Sequence, residues 1–253
     1  MKLRLGINLG FAINKYIEEY GINVESVFTS AFTRVNHLMH PEERMRKLWL
    51  QWFKDLFSIA ARLGAKNGGS HFGILTFASY NDSDMRERLI EEGVKGWQEL
   101  SFFARDIGFD CLIMEPMSVP REMGNTVEDT QELIDRVNSN CGVPMKVCLD
   151  IGHAPHPDQR DPYIWIERLG AVSPVIHIQQ TELHRSHHWP FITEYNEKGI
   201  IHPEKVLEYM ERANVKEASL IFEISHREHR DTDNRIIEDL RASVEYWRPY
   251  VKD

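Results

Sequence analysis

Cysteine is scarce and irregularly placed: Cys111, Cys141 and Cys148 are odd in number and lack CxxC spacing. That pattern argues against a disulfide framework and a cysteine zinc site, and it fits a reducing compartment, with the cytoplasm as the expected location. Long hydrophobic runs are missing as well. No stretch approaches the ~18 apolar residues of a membrane span, and Met1-Lys-Leu-Arg-Leu-Gly-Ile7 is too short in apolar content for a signal peptide. Positive charge is in deficit: thirty Lys plus Arg against thirty-nine Asp plus Glu leave a formal charge of −9. That balance opposes approach to a phosphate backbone or an anionic membrane, so neither nucleic acid nor membrane is an expected partner. Low-complexity segments and linkers are absent too. The 253 residues, 42% hydrophobic and 27% charged, are therefore read as a single domain, 1–253.

What the chain does contain is a series of short apolar runs at Leu3–Asn8, Val24–Thr29, Gly69–Thr76, Cys111–Glu115, Met145–Asp150, Pro174–Gln179 and Ser219–Ile224. Most are separated by segments of helical period, which means βαβ units and a parallel sheet. Pro41–Leu63, with Leu48, Trp52, Leu56, Ile59 and Leu63 near a 3.6 period and Gly64 as its stop, is the clearest helix. Asp82–Ile107 reads as an extended helix or a broken pair, Thr126–Val137 opens on a variant capping box, and Asp233–Tyr250 closes the chain as a helix. Asp161-Pro162 and His202-Pro203 read as N-caps followed by proline at the first helical position. The expected fold is α/β, a (β/α)8 TIM barrel. Seven strand signals are visible, and only about fifteen residues part the first from the second, so one early βα unit is shortened or missing.

Four of these runs carry a residue able to bind a metal at or next to their C-terminal end: Glu115, Asp150, Gln179 and Glu223. In a buried parallel strand, a polar residue at the C-terminal end sits where α/β barrels place their chemistry. Singly, each has an ordinary explanation as a strand terminator, turn residue or cap. Together at corresponding strand ends they read as one site, because burying several acids is costly unless a cation compensates. His177 and Gln179 project to one face of their strand, so either can be the third ligand beside Glu115, Asp150 and Glu223. This mostly oxygen cage suits Mn2+ or Mg2+ ahead of zinc or copper, with Co2+ or Zn2+ as substitutes. His153, three residues after Asp150, can overhang the site; His71 lies at the third strand signal; and the run His184-Arg185-Ser186-His187-His188-Trp189 follows directly on the sixth.

The pair Glu115-Pro116, the motif Asp150-Ile-Gly-His153, the segment His177-Ile-Gln-Gln-Thr-Glu-Leu-His-Arg185, and Glu223 together carry a resemblance. From Leu3 onward the chain resembles the xylose isomerase-like TIM barrels, particularly their tagatose 3-epimerase and hydroxypyruvate isomerase branches. In the epimerases the sixth-strand segment is His-x-His followed six residues later by Arg; here Gln179 stands at the second His and Arg185 matches the Arg. Hydroxypyruvate isomerases similarly show His-x-Gln, and on that basis Gln179 is taken as the ligand, with His177 as its rival.

The resemblance implies a divalent-metal-dependent sugar isomerase or epimerase working by proton transfer through an enediolate. Glu115 and Glu223 would be the catalytic bases as well as metal ligands. His153, His177, Arg185 and His71 would contact the substrate, a small sugar or keto-sugar, and Arg185 with its neighbouring histidines suits a phosphate or carboxylate. By resemblance the chain would pair as a homodimer. Three alternatives remain open: decarboxylation of a 3-keto sugar acid on the same site, an endonuclease IV-like repair enzyme, and a non-catalytic sugar-binding barrel.

Overall fold

Glycine governs the third strand, which lies earlier than its apolar signal. The computed structural model describes residues 1–7, 21–29, 33–153, 159–225 and 235–251. Among them are seven strands: β1 (Lys2–Ile7), β2 (Ser26–Phe28), β3 (Asn67–His71), β4 (Cys111–Glu115), β5 (Met145–Asp150), β6 (Val175–Ile178) and β7 (Glu217–Phe222). Six agree with the sequence reading to within two residues at most ends. β3 is instead built on Asn67-Gly-Gly-Ser-His71, and the segment 72–76 that follows is irregular apart from an isolated antiparallel bridge between Ile74 and Glu122. A Cβ on Gly69 would stand 1.7 Å from the Ile113 carbonyl oxygen of β4. Glycine, a poor strand former by propensity, is thus required by the close approach of the neighbouring backbone. Gly69→Ala is expected to cost at least about 3 kcal/mol, because a backbone rather than a flexible side chain must move. A urea melt checks this, and an unchanged midpoint would contradict it.

The helices are α1 (Glu43–Arg62), α2 (Phe77–Asn81), α3 (Ser83–Asp106), α4 (Val127–Asn138), α5 (Pro162–Leu169), α6 (Thr193–Asn196), α7 (Pro203–Arg212) and α8 (Ile236–Trp247). Asp82 caps α3 by accepting from the Met85 N–H, and α3 runs unbroken, which decides between the extended and the broken alternative. Thr126 caps α4 through the Asp129 N–H, and Asp161 caps α5 through the Tyr163 N–H. His202 precedes Pro203 at the start of α7 without a side-chain cap. No helix among the described residues is long and apolar enough to cross a membrane. The early unit expected over Ala12–Gly21 falls, except for Gly21, outside the described residues, as does the expected start of the last helix at Asp233.

The chain packs as two compact units: Met1–Asn8 with Val147–Asp253, and Leu9–Lys146. In the second, β2, β3 and β4 pair in parallel, with His71 in register beside Glu115 at the C-terminal ends of β3 and β4. Its core is aromatic. Phe53 lies 5.3 Å from Trp97 between ring centroids, Phe57 lies 5.5 Å from Phe109, and the Trp97 indole N–H donates to the Phe72 carbonyl at 3.0 Å. The face of α1 that packs is Phe53, Phe57 and Ala60, whereas Leu48, Trp52 and Ile59 of the periodic stripe are exposed.

In the unit containing both termini, β1 pairs with β7, β7 with β6, and β6 with β5, all in parallel. Asp150 is in register with His177, and Ile178 with Phe222, so the polar residues that close β5, β6 and β7 arrive at one end of this sheet. Phe191, Phe222 and Trp247 fill the space between sheet and helix, and all three are fully buried.

Candidate active site

Parallel register and side-chain alternation bring the chemistry of the terminal unit to a point. Asp150, His177 and Glu223 offer ligand atoms that all lie within 4.8 Å of one another. Asp150 is 4% exposed, and its carboxyl is pushed above the usual range chiefly by burial. His153 opposes the rise and the neighbouring Glu223 carboxylate adds to it. Asp150 Oδ1 accepts the Gly152 N–H at 2.6 Å, and His153 Nε2 lies 3.5 Å from Oδ2. A Cβ on Gly152 would stand 2.3 Å from the Gln179 amide carbon, so only glycine lets Gln179 fold over Asp150.

Gln179 is fully buried just past the end of β6. Its Nε2 donates to Asp150 Oδ1 and Oδ2 at 3.1 and 2.9 Å, and its Oε1 accepts the His188 backbone N–H. His177 Nδ1 lies 3.0 Å from Glu223 Oε2, and its Nε2 lies 3.4 Å from Cys148 Sγ. The Glu223 backbone N–H donates to the Ile178 carbonyl at 3.1 Å, which ties the residue to the end of β6 just past β7.

The loop after β6 is closed by a reciprocal backbone pair, Gln180 to Trp189 at 2.9 and 3.1 Å. His187 stacks on Trp189 at 3.7 Å, and Trp189 on Tyr195 at 4.6 Å. His188 adopts a left-handed backbone, φ 54°, and this turns its ring toward the site. Its Nδ1 lies 3.1 Å from the Glu223 carbonyl oxygen, and its ring lies 5.5 Å from that of His153. A second group able to hold a cation results: Asp150, His153 and His188. Arg185 is exposed on the same loop, and His184 Nδ1 meets an Arg160 N–H at 2.8 Å.

A family model described as a xylose isomerase-like TIM barrel matches residues 12–250. The chain belongs to the xylose isomerase-like TIM barrels. It is 33% identical over 244 residues to a D-erythrulose 1-phosphate 3-epimerase of Brucella abortus (strain 2308), a match covering 94% of this chain and 79% of that protein. Among solved structures, one from Rhodospirillum rubrum, provisionally designated a xylose isomerase, superposes with a TM-score of 0.82 at 23% identity, covering 93% of this chain and 79% of that one. A D-psicose 3-epimerase from Clostridium cellulolyticum H10, solved with D-tagatose, gives 0.69 at 16% identity, covering 95% and 84%. This member of the xylose isomerase-like barrels is an enzyme of the isomerase or epimerase type.

In the other unit of this xylose isomerase-like barrel, Glu115 is buried at the end of β4, and His71, 3% exposed, is its register partner on β3. His37, fully buried, was given no role by sequence pattern. Its ring centroid lies 4.8 Å from that of His71, and its Nε2 donates to the His71 carbonyl at 3.1 Å while Nδ1 accepts the Leu38 N–H. Burial drives His71 down to about 4, with Arg34 adding to the drop and a Val35 backbone bond opposing it. Burial, with His71 as a lesser cause, likewise lowers His37.

Both imidazoles are neutral in the folded state and gain protons on unfolding near pH 6.5. Stability is therefore highest above pH 6.5 and falls as pH drops toward 4, with His71 alone accounting for something of the order of 3 kcal/mol. Urea midpoints between pH 7 and 4 should decline, and His71→Asn should flatten the slope. An equal slope in both proteins would contradict this assignment.

Proposed function

We propose that this enzyme is a divalent-metal-dependent sugar epimerase acting on a small phosphorylated ketose, such as D-erythrulose 1-phosphate, by inverting a carbon beside the carbonyl. The observation that carries the reading is the convergence of Asp150, His177 and Glu223 at the ends of three adjacent parallel strands. The similarity to a D-erythrulose 1-phosphate 3-epimerase over most of the chain supports the choice of substrate class.

The residues fit a hard divalent cation. Asp150 is buried and held above its usual pKa, the condition a cation beside it relieves, and carboxylate, amide and imidazole donors surround it. Glu115, Asp150, Gln179 and Glu223 would hold the ion, with Mn2+ or Mg2+ as first choices. Gln179 is preferred over His177 because its amide already meets both carboxylate oxygens of Asp150. A half turn of the Gln179 amide exchanges Nε2 for Oε1 beside Asp150, at the expense of the bond from His188. When bound, the ion supplies Lewis-acid polarisation of the substrate carbonyl.

The chain's own groups then divide the proton work. Glu223 and Glu115 act as the two bases, one taking the proton from the carbon beside the carbonyl and the other delivering a proton to the opposite face. His153 and Arg185 hold substrate oxygens. Arg185, exposed on the loop after β6, is suited to the phosphate by its planar fork of donors.

Purified protein replete with Mn2+ and supplied with D-erythrulose 1-phosphate should produce the C3 epimer. Carbon dioxide release from a 3-keto sugar acid with no epimerisation would favour decarboxylation instead. Failure to bind any divalent ion would remove the reading.

A further inference from the structure

The loop after β6 meets the site at one end and carries unanswered positive charge at the other. Ser186 Oγ lies 3.4 Å from Gln179 Oε1, and the His188 backbone N–H donates to the same oxygen. Two residues before Ser186, His184 Nδ1 accepts an Arg160 N–H at 2.8 Å. Arg160 belongs to the connection from β5 to α5, one residue before the Asp161 cap, and His184 to the connection from β6 to α6. Both connections leave from the C-terminal ends of paired parallel strands, the ends at which Asp150 and Gln179 stand. We propose that Arg160 and His184 join Arg185 in a subsite for the substrate phosphate, and that Arg160 sets the preference for a phosphorylated over a free ketose. The proposal rests on the reading of the protein as an epimerase of phosphorylated ketoses.

Among the described residues no carboxylate answers Arg160, His184 or Arg185. The acids nearest in sequence are engaged elsewhere: Asp161 accepts the Tyr163 N–H at the start of α5, and Glu182 Oε2 lies 3.1 Å from His187 Nε2. Other partly shielded arginines do meet acids, Arg46 with Glu92 at 2.7 Å and Arg136 with Glu87 at 2.7 Å and Glu91 at 3.0 Å. Arg34, which follows β2 in the other unit, is already neutralised by the buried Glu122 at 2.5 Å, which makes it a poor seat for a dianion. Half-buried Arg160 beside His184, in a chain of net charge −9, is therefore positive charge left open to an anion from outside. The donors are also set. A guanidinium only donates, so His184 Nδ1 accepts and the neutral ring carries its hydrogen on Nε2. The subsite thus offers the His184 Nε2–H, the remaining N–H groups of Arg160 and the fork of Arg185, all donors that a phosphate oxygen accepts. From His184 to Ser186 the backbone reaches at most ~7 Å. An anion at one end and a reacting carbon at the other fit the length of a short-chain sugar phosphate.

Calorimetric titration of the Mg2+-supplemented protein with inorganic phosphate reads the subsite without any turnover. Arg160→Gln should weaken phosphate binding about ten-fold. Lys216→Gln removes the same charge just before β7, at the N-terminal end of that strand, and should leave binding within about two-fold of wild type. In steady-state assays the ratio of kcat/KM for D-erythrulose 1-phosphate to that for D-erythrulose should fall about thirty-fold in Arg160→Gln, the scale of a lost hydrogen bond to a charged group. Arg160→Lys should recover only part of the ratio, because a point charge replaces the fork. A wild-type protein that binds no phosphate would overturn the proposal, as would an Arg160→Gln protein whose phosphate affinity or substrate ratio stays within about two-fold of wild type. Phosphate binding that is lost in Arg160→Gln, in a protein that epimerises neither ketose, would instead reject the epimerase reading and support the anion subsite.

Discussion

Glu223→Gln is expected to lower kcat by about a thousand-fold while leaving the protein folded, within the range that a positioned general base contributes. The substitution preserves shape and keeps a polar group 3.0 Å from His177 Nδ1. What it removes is the ability to take up a proton. Glu223 is the more exposed member of the cluster, with 28% of its side chain accessible, so the change should shift the melting temperature by only a few degrees. Glu115→Gln should show a loss of the same order, because a two-base inversion stops when either face loses its carboxylate. The two deletions should not multiply, since each already blocks the same sequence of proton transfers. Steady-state assays at saturating substrate, with calorimetry on the same preparations, check this; a Glu223→Gln enzyme keeping more than about a tenth of wild-type kcat would exclude Glu223 as a base.

Removal of divalent ions should have the second large effect. Chelation is expected to lower turnover at least about a hundred-fold, and added Mn2+ to restore it. The same ion should stabilise the fold, because a ligand at a hundred times its dissociation constant contributes about 2.7 kcal/mol, which for a chain of this size is a rise in Tm of about 5–10 °C. The residue that makes this a site-specific expectation is Asp150. Burial raises its pKa, Glu223 raises it further, and the histidines around it only partly offset that rise. Asp150→Asn should therefore abolish the Mn2+-dependent rise in Tm while sparing the stability of the metal-free protein. A Tm that climbs equally with Mn2+ in Asp150→Asn would place the ion elsewhere.

Much of the fold is legible in the amino-acid sequence, for a definite reason. Strands buried on both faces read as unbroken apolar runs, so the polar residue that ends each one stands out; Glu115, Asp150 and Glu223 were found that way. The third strand escaped because its signal is inverted: Gly68 and Gly69 are there to admit the β4 backbone and Phe109, not for strand propensity. In α1 the more regular stripe of Leu48, Trp52 and Ile59 drew attention, whereas the packed face is Phe53, Phe57 and Ala60. Periodicity places a stripe without telling which side another element will cover. His188 was lost in a histidine-rich run, since its role depends on a left-handed turn that spacing does not encode. His37 gave no signal either, because its partner His71 is thirty-four residues away. The choice between His177 and Gln179 turns on side-chain neighbours that spacing does not encode: the Gln179 amide meets both Asp150 oxygens, and His177 lies between Cys148 and Glu223.

The central claim is that two carboxylates move a carbon-bound proton beside a cation, and turnover in deuterium oxide tests it most directly. With Mn2+ and D-erythrulose 1-phosphate, the epimerised product should carry one deuterium at the inverted carbon, and neither Glu115→Gln nor Glu223→Gln should incorporate it. Epimerised product that retains its original hydrogen there would contradict the account.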